Sequence, residues 1–142
     1  MSEGIGGFDF SELGAVAKRQ DQGVAVHIKH PSRGPLYYQN GDGQMPVTFT
    51  VVGTYSETYR RNERERMDLI TSGKRSTANM FDTTEQLSSA VIAWDGVFNA
   101  GVPVPLTREA VSKVLTSEPW IAEQLLSPTR EHERFFSENS AS

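Results

Sequence analysis

The sequence contains no cysteine, and that absence excludes several kinds of site. Without thiols the chain forms no disulfide, binds no iron–sulfur cluster, and offers neither thiolate zinc ligands nor a cysteine nucleophile. It also lacks any apolar run of the roughly 20 residues that a membrane-spanning helix requires. The first residues, MSEGIGGFDFSEL, show no basic segment followed by an apolar one, so we expect no signal peptide.

Basic residues are slightly fewer than acidic residues. The chain carries 14 Lys and Arg against 18 Asp and Glu, which gives a formal net charge of -4 and a pI near 5.4. This balance argues against general binding to nucleic acid or to an anionic membrane.

With 142 residues the chain is long enough for one domain that buries about two-thirds of its unfolded surface.

The first third of the chain predicts a short helix followed by a small antiparallel sheet. Residues 1–22 are expected to form a flexible end and then a helix that stops near Gly23. Apolar residues alternate with polar ones over 24–30, as they do in a half-buried strand. The turn sequence NGDG at 40–43 separates two further stretches with strand character, so residues 23–54 predict a β-meander.

The remaining chain predicts a helical region over 55–136 and a disordered tail over 137–142. Ser56 suits the N-cap of a charged helix that runs to about residue 70. An apolar stripe of Leu87, Ala90, Val91 and Trp94 predicts an amphipathic helix over about 84–94, which a capping box from Thr83 to Gln86 would begin.

Three more helices are predicted after a proline-rich loop. Thr107 is expected to cap one helix, and Pro119 occupies the first turn of the next. Ser127-Pro128 is expected to begin a separate last helix. The sequence therefore predicts an α+β protein, in which a small antiparallel β-meander is followed by a helical C-terminal half.

Residues that commonly carry chemistry form no recognisable constellation. His27 and His30 lie an odd number of positions apart on a strand and should face opposite sides, and His132 is remote in a charged segment. The run Asn40–Gln44 resembles the start of a calcium loop, but the twelfth position is the apolar Val51, which favours a hairpin turn. No HExxH, GxGxxG, Walker or GxSxG motif occurs. We expect a non-catalytic protein without cofactor or metal.

A basic segment in the charged helix allows two interpretations. Its arginines are Arg60, Arg61, Arg64 and Arg66. They form either a stripe for nucleic acid or an acidic partner, or an exposed face neutralised by neighbouring carboxylates. The second interpretation is favoured, because Glu and Asp interleave at helical spacing and no aromatic residues are placed to stack on bases.

Short motifs in the second half carry a family resemblance. They are VIAWDGV at 91–97, GVPVPLT at 101–107 and EPWI at 118–121, and they follow an upstream strand and charged helix. Over about residues 23–136 the chain resembles tail assembly chaperones of long-tailed bacteriophages and prophages. The resemblance implies a protein that binds the tape measure protein while the tail tube assembles, or alternatively a minor structural component of the virion, in tail or head.

That resemblance also implies where the protein acts and with what. Its partners would be phage tail proteins, namely the tape measure or tail tube, or other virion subunits, and neither nucleic acid nor membrane. It would act in the host cytoplasm during phage assembly, or else in the virion. The alternative for the apolar side chains of the motif region is packing in the protein core. The residues expected to bind a partner are Trp94, Val97, Phe98, Val102, Val104, Leu106 and Trp120.

Overall fold

The computed structural model describes residue 7, residues 9–75 and residues 82–130. In chain order the helical elements are the short 3-10 turn η1 (Phe10–Glu12) and the helices α1 (Ala15–Asp21), α2 (Glu57–Thr71), α3 (Thr83–Ser88), α4 (Arg108–Ser117) and α5 (Pro119–Arg130). The strands are β1 (Val24–His27), β2 (Lys29–His30), β3 (Gly34–Pro35), β4 (Tyr37–Asn40), β5 (Gly43–Pro46), β6 (Thr48–Val51), β7 (Val91–Asp95), β8 (Phe98–Asn99) and β9 (Val102–Pro103). This arrangement confirms the predicted α+β class.

A three-stranded antiparallel sheet in the order β1–β6–β7 forms the centre of the fold. Phe49 of β6 lies opposite Val26 of β1 on one side and Trp94 of β7 on the other, so one row of apolar side chains crosses the sheet. Helix α5 contacts β1 and β6, and α3 and α4 pack beside it. The helices complete the core with apolar side chains that include Leu87, Val111, Leu115, Ile121 and Leu125.

Small two-stranded ladders extend from this sheet. The predicted turn at 40–43 is confirmed as a hairpin in which β4 pairs with β5 and Asn40 lies opposite Gly43. The predicted strand over 24–30 is divided into β1 and β2 at Ile28, and its alternating residues Val24, Val26 and Ile28 are buried as expected. The other two-stranded ladders among the described residues are β2–β3 and β8–β9.

The junction between α1 and α2 is held by polar side chains. Gln20 is fully buried, and its Oε1 accepts a hydrogen bond of 2.6 Å from the Tyr55 amide. Asp21 accepts from the Thr58 amide at 3.1 Å. Ser56 is the N-cap of α2, as predicted, with its hydroxyl oxygen accepting from the Tyr59 amide. The bonds to the Thr58 and Tyr59 amides satisfy donors that the first turn of a helix leaves unpaired.

The predicted helix over 84–94 is wrong beyond Ser88. The N-cap of α3 is Asp82, which accepts from the amides of Thr84 and Glu85, so the capping box at Thr83 is also wrong. Residues 91–95 instead form β7 and pair with β6. The apolar stripe suits a helix, but a short run of β-branched and aromatic residues suits a strand equally, and β6 offers an open edge to pair with.

Two further expectations fail in the helical part. Pro128 begins no separate helix, because it lies inside the continuous α5, where the hydroxyl of Thr129 donates to the Leu125 carbonyl oxygen at 2.8 Å. Arg66 does not belong to an exposed basic face, since it is only 4% exposed and paired with Glu63.

The predicted tail at 137–142, most of the expected flexible end and His132 lie outside the described residues.

None of the helices in the described ranges combines the length and the apolar character that crossing a membrane would require.

Candidate protein-binding surface

Trp94 attaches the loop after β7 to the central sheet. Its ring meets the ring of Phe49 edge to face, with 5.4 Å between the centroids. Its indole N–H donates a hydrogen bond of 2.9 Å to the carbonyl oxygen of Val104. The Val104 amide in turn donates to the carbonyl oxygen of Val97 at 3.0 Å. The tryptophan therefore packs against the core and fixes the path of residues 97–104.

The apolar residues of this loop divide into two groups. Val97 and Leu106 are half-buried and pack against the core, and Trp94 does the same. Phe98 is 44% exposed and Val102 is 64% exposed. Across the β8–β9 ladder Val102 lies opposite Asn99, the residue that follows Phe98 in the strand. Because neighbouring side chains on a strand point to opposite faces, Phe98 and Val102 do not line one common groove.

Phe98 continues into an apolar surface on the β4–β5 hairpin. Its ring lies 5.8 Å from the ring of Tyr38. Tyr38 is directly opposite Met45 in the ladder, so these two side chains share a face, and Met45 is exposed. We call Tyr38, Met45 and Phe98 the hairpin surface; Val102, on the other face of the β8–β9 ladder, is not part of it. Sequence reasoning missed Tyr38 and Met45, although the two-residue loop between β4 and β5 sets the register that pairs them.

Gly96 allows Tyr38 to lie close to the loop. Its φ of +86° is in the left-handed region, which glycine adopts without steric cost. A Cβ at this position would lie 2.6 Å from Cδ1 of Tyr38 and 2.9 Å from Cγ2 of Val47. The glycine turn at this position therefore directly follows strand β7.

Gly96→Ala tests this close approach. Gly101 is a matched control, because its φ is +85° and an added Cβ would meet nothing within 4 Å. We expect Gly96→Ala to lower the free energy of unfolding by about 1–3 kcal/mol more than Gly101→Ala, since only the first variant adds overpacking to backbone strain. Urea denaturation of both variants measures the difference, and equal losses would show that the loop relaxes away from Tyr38.

Trp120 is placed by other contacts. It lies in the first turn of α5, where its ring meets His30 at 5.2 Å and its indole N–H donates to Oε2 of Glu118 at 2.7 Å. Nearby, Gln124 binds the backbone of Lys29 in both directions: the Lys29 amide donates to Oε1 and Nε2 donates to the Lys29 oxygen. Trp120 is half-buried against the core and joins α5 to β2.

A polar cavity of about 130 Å³ lies between α2 and α4. Arginine and glutamate side chains line it, among them Arg66, Arg108, Glu65 and Glu109. Two hydrogen bonds to Glu63 raise the pKa of Arg66 above its usual value, whereas burial lowers the pKa of Arg108. Arg108 donates to the carbonyl oxygens of Ser88 and Val91. Because both signs of charge line it, the cavity favours neither anions nor cations.

The histidines of the described chain have separate surroundings. Nε2 of His27 lies 2.8 Å from the Leu36 carbonyl oxygen, and Nδ1 of His30 accepts from the Ser32 amide at 3.1 Å. Among the residues that the structure describes, no three His, Asp or Glu side chains are grouped so that they could hold a metal ion.

Comparison with known proteins adds no relationship. No family model matches the chain, and neither a curated protein nor a solved structure matches it. The likeness to phage tail assembly chaperones therefore depends on the motif residues alone.

Proposed function

We propose that this chain is a non-catalytic protein-binding factor in bacteriophage tail assembly that binds the tape measure protein through the hairpin surface. The observation that supports the proposal is the exposure of Phe98 in the motif region, together with the exposed Met45 on the adjoining hairpin. The hydrogen bonds from Trp94 to Val104 and from Val104 to Val97 hold the loop that carries Phe98, so this side chain is presented to solvent on a defined support. Exposed aromatic and aliphatic side chains on a rigid support are typical anchors of protein interfaces.

Binding of a helical segment suits the geometry of this surface. Tyr38, Met45 and Phe98 form a continuous apolar run that one face of an amphipathic helix can cover. Methionine adapts its shape to different partners, and the tyrosine hydroxyl tolerates both water and an apolar neighbour. Covering the apolar face of a tape measure helix in this way would keep that protein from aggregating until tube subunits replace the factor.

Capture of the tape measure protein from the same phage tests the proposal. We expect the double variant Met45→Ser, Phe98→Ser to weaken capture by about tenfold or more, because both side chains lose their apolar contacts with the partner. Its melting temperature should change little, since both positions are exposed. The measurement is a pull-down of co-expressed proteins, supported by titration of a purified tape measure fragment.

Val111→Ala provides the control. Val111 is fully buried in α4 and contacts the core, so the variant should melt earlier while its folded form captures the partner normally. Unchanged capture by the double surface variant would contradict the proposed surface. Absence of capture by the native chain would contradict the proposed function.

A minor structural role in the virion is the second candidate. The observation that favours it is that Phe98 and Val102 are exposed on opposite faces of the β8–β9 ladder, where they suit contacts with two neighbouring subunits. Mass spectrometry of purified virions separates the two roles. A factor that leaves after assembly is present in the lysate and absent from the particle, whereas a structural subunit is present at a fixed copy number.

A further inference from the structure

A second exposed apolar surface lies at the N-terminal end of the described chain. Phe10 is 80% exposed, Leu13 65%, Val16 45% and Tyr55 53%. The turn η1 buries none of its residues, although apolar side chains lie in it and next to it. We call these four residues the N-terminal patch. The hairpin surface does not include any of them.

The part of the patch formed by Val16 and Tyr55 is held in a defined position. Val16 belongs to α1, and Tyr55 precedes the N-cap of α2. The buried Gln20 of α1 accepts a hydrogen bond from the Tyr55 amide, and Asp21 accepts from the first amides of α2, so the two helices are tied together. Val16 and Tyr55 on this support lose little conformational entropy when they are covered.

Charges of both signs border the patch. Glu12 and Arg60 line the same concavity of about 370 Å³, whose apolar wall includes Val16, Ala17 and Tyr55. The guanidinium of Arg60 donates to the Tyr55 carbonyl oxygen at 2.8 Å, which holds it at this border. A two-fold axis through this concavity would bring Glu12 of one copy toward Arg60 of another and the reverse, so opposite charges on the border allow the surface to complement itself.

The exposed area is of the size that a dimer needs. With about 200 Å² for a large side chain, the four residues expose on the order of 450 Å² of mostly apolar surface in each copy. The largest apolar patch of a typical monomer is about 300–600 Å² and is often functional. Two such patches with a polar rim approach the roughly 1,200–2,000 Å² of a stable interface.

We propose that the N-terminal patch is covered by the same patch of a second copy, in a two-fold symmetric dimer. The apolar centre supplies the buried area, and the concavity beside Tyr55 receives a large side chain of the partner copy, such as Phe10. Glu12 and Arg60 pair across the two-fold axis and set the register. This inference does not depend on the proposed role in tail assembly, because it uses neither the motif region nor the hairpin surface.

Charge reversal tests the symmetry of the contact. In sedimentation equilibrium of the full chain at concentrations up to about 100 µM, we expect the native protein to be dimeric. Glu12→Lys and Arg60→Glu should each weaken dimerisation by about tenfold or more, because two-fold symmetry places like charges together twice. An equimolar mixture of the two variants should dimerise again, since both contacts between position 12 of one copy and position 60 of the other then join opposite charges.

Two variants of matched exposure provide the control. Leu13→Ser should produce monomers, whereas Val102→Ser, which removes an equally exposed apolar side chain elsewhere, should leave the dimer intact. Thermal melting of each variant shows that it is folded. A native chain that remains monomeric at about 100 µM would overturn the proposal, and so would charge variants whose mixture does not dimerise. Neither result would bear on capture of the tape measure protein.

Discussion

Phe49→Ala is expected to lower the free energy of unfolding by about 3–5 kcal/mol, the range found when a buried aromatic side chain is truncated to alanine. Phe49 lies in the middle strand of the central sheet and is almost completely buried. It is opposite Val26 and Trp94 in the two adjacent strands, so its removal leaves a cavity beside both. Guanidinium denaturation measures the loss through the midpoint and the slope.

The neighbouring Thr50 provides the control. It points to the opposite face of β6 and is only partly buried, so Thr50→Ala should cost less than about 1 kcal/mol. A double-mutant cycle with Trp94→Ala should show a coupling of about 0.5–1.5 kcal/mol between the two rings, whose edge-to-face contact has its own energy. A loss below about 1 kcal/mol for Phe49→Ala would contradict the central position assigned to this residue.

The strands around Phe49 show how far the sequence can predict the fold. Alternation of apolar and polar residues is sufficient to predict β1 and β6, because only one face of each strand is buried. Alternation says nothing about which strands pair. The short apolar run of the third strand, β7, fits the period of a helix as well as that of a strand, so the local pattern predicts a helix there. Its pairing with β6 joins segments separated by about 40 residues, and a local pattern does not contain that information.

The candidate binding surface is predictable to a similar degree. The motif indicates apolar residues in a loop, and Phe98 and Val102 are indeed exposed. That Tyr38 and Met45 adjoin Phe98 depends on how the β4–β5 hairpin folds onto the loop, and a local pattern does not contain that information. The N-terminal patch is not predicted, because a helical pattern within residues 1–22 does not show which other element covers it; Phe10 and Leu13 remain exposed among the described residues.

Arg66→Ala is expected to lower the free energy of unfolding by about 3 kcal/mol, because removal of one partner leaves a poorly solvated charge on the other. Arg66 is nearly fully buried and donates two hydrogen bonds to Glu63, at 2.7 and 3.0 Å. Glu63 also accepts from the hydroxyl of Ser89 at 2.6 Å, which connects α2 to the turn before β7. Thermal and urea unfolding measure the loss.

Arg64→Ala is the matched control, since Arg64 is exposed on the same helix and its loss should change stability by no more than about 0.5 kcal/mol. The pair itself is tested by Arg66→Met and Glu63→Gln, made singly and together. Because the double variant leaves no unpaired charge, it should be more stable than the sum of the single losses implies. Additive losses would mean that the two side chains act independently. Sub-additive losses would mean that the buried arginine stabilises α2 through Glu63, a role that its place among exposed arginines in the sequence conceals.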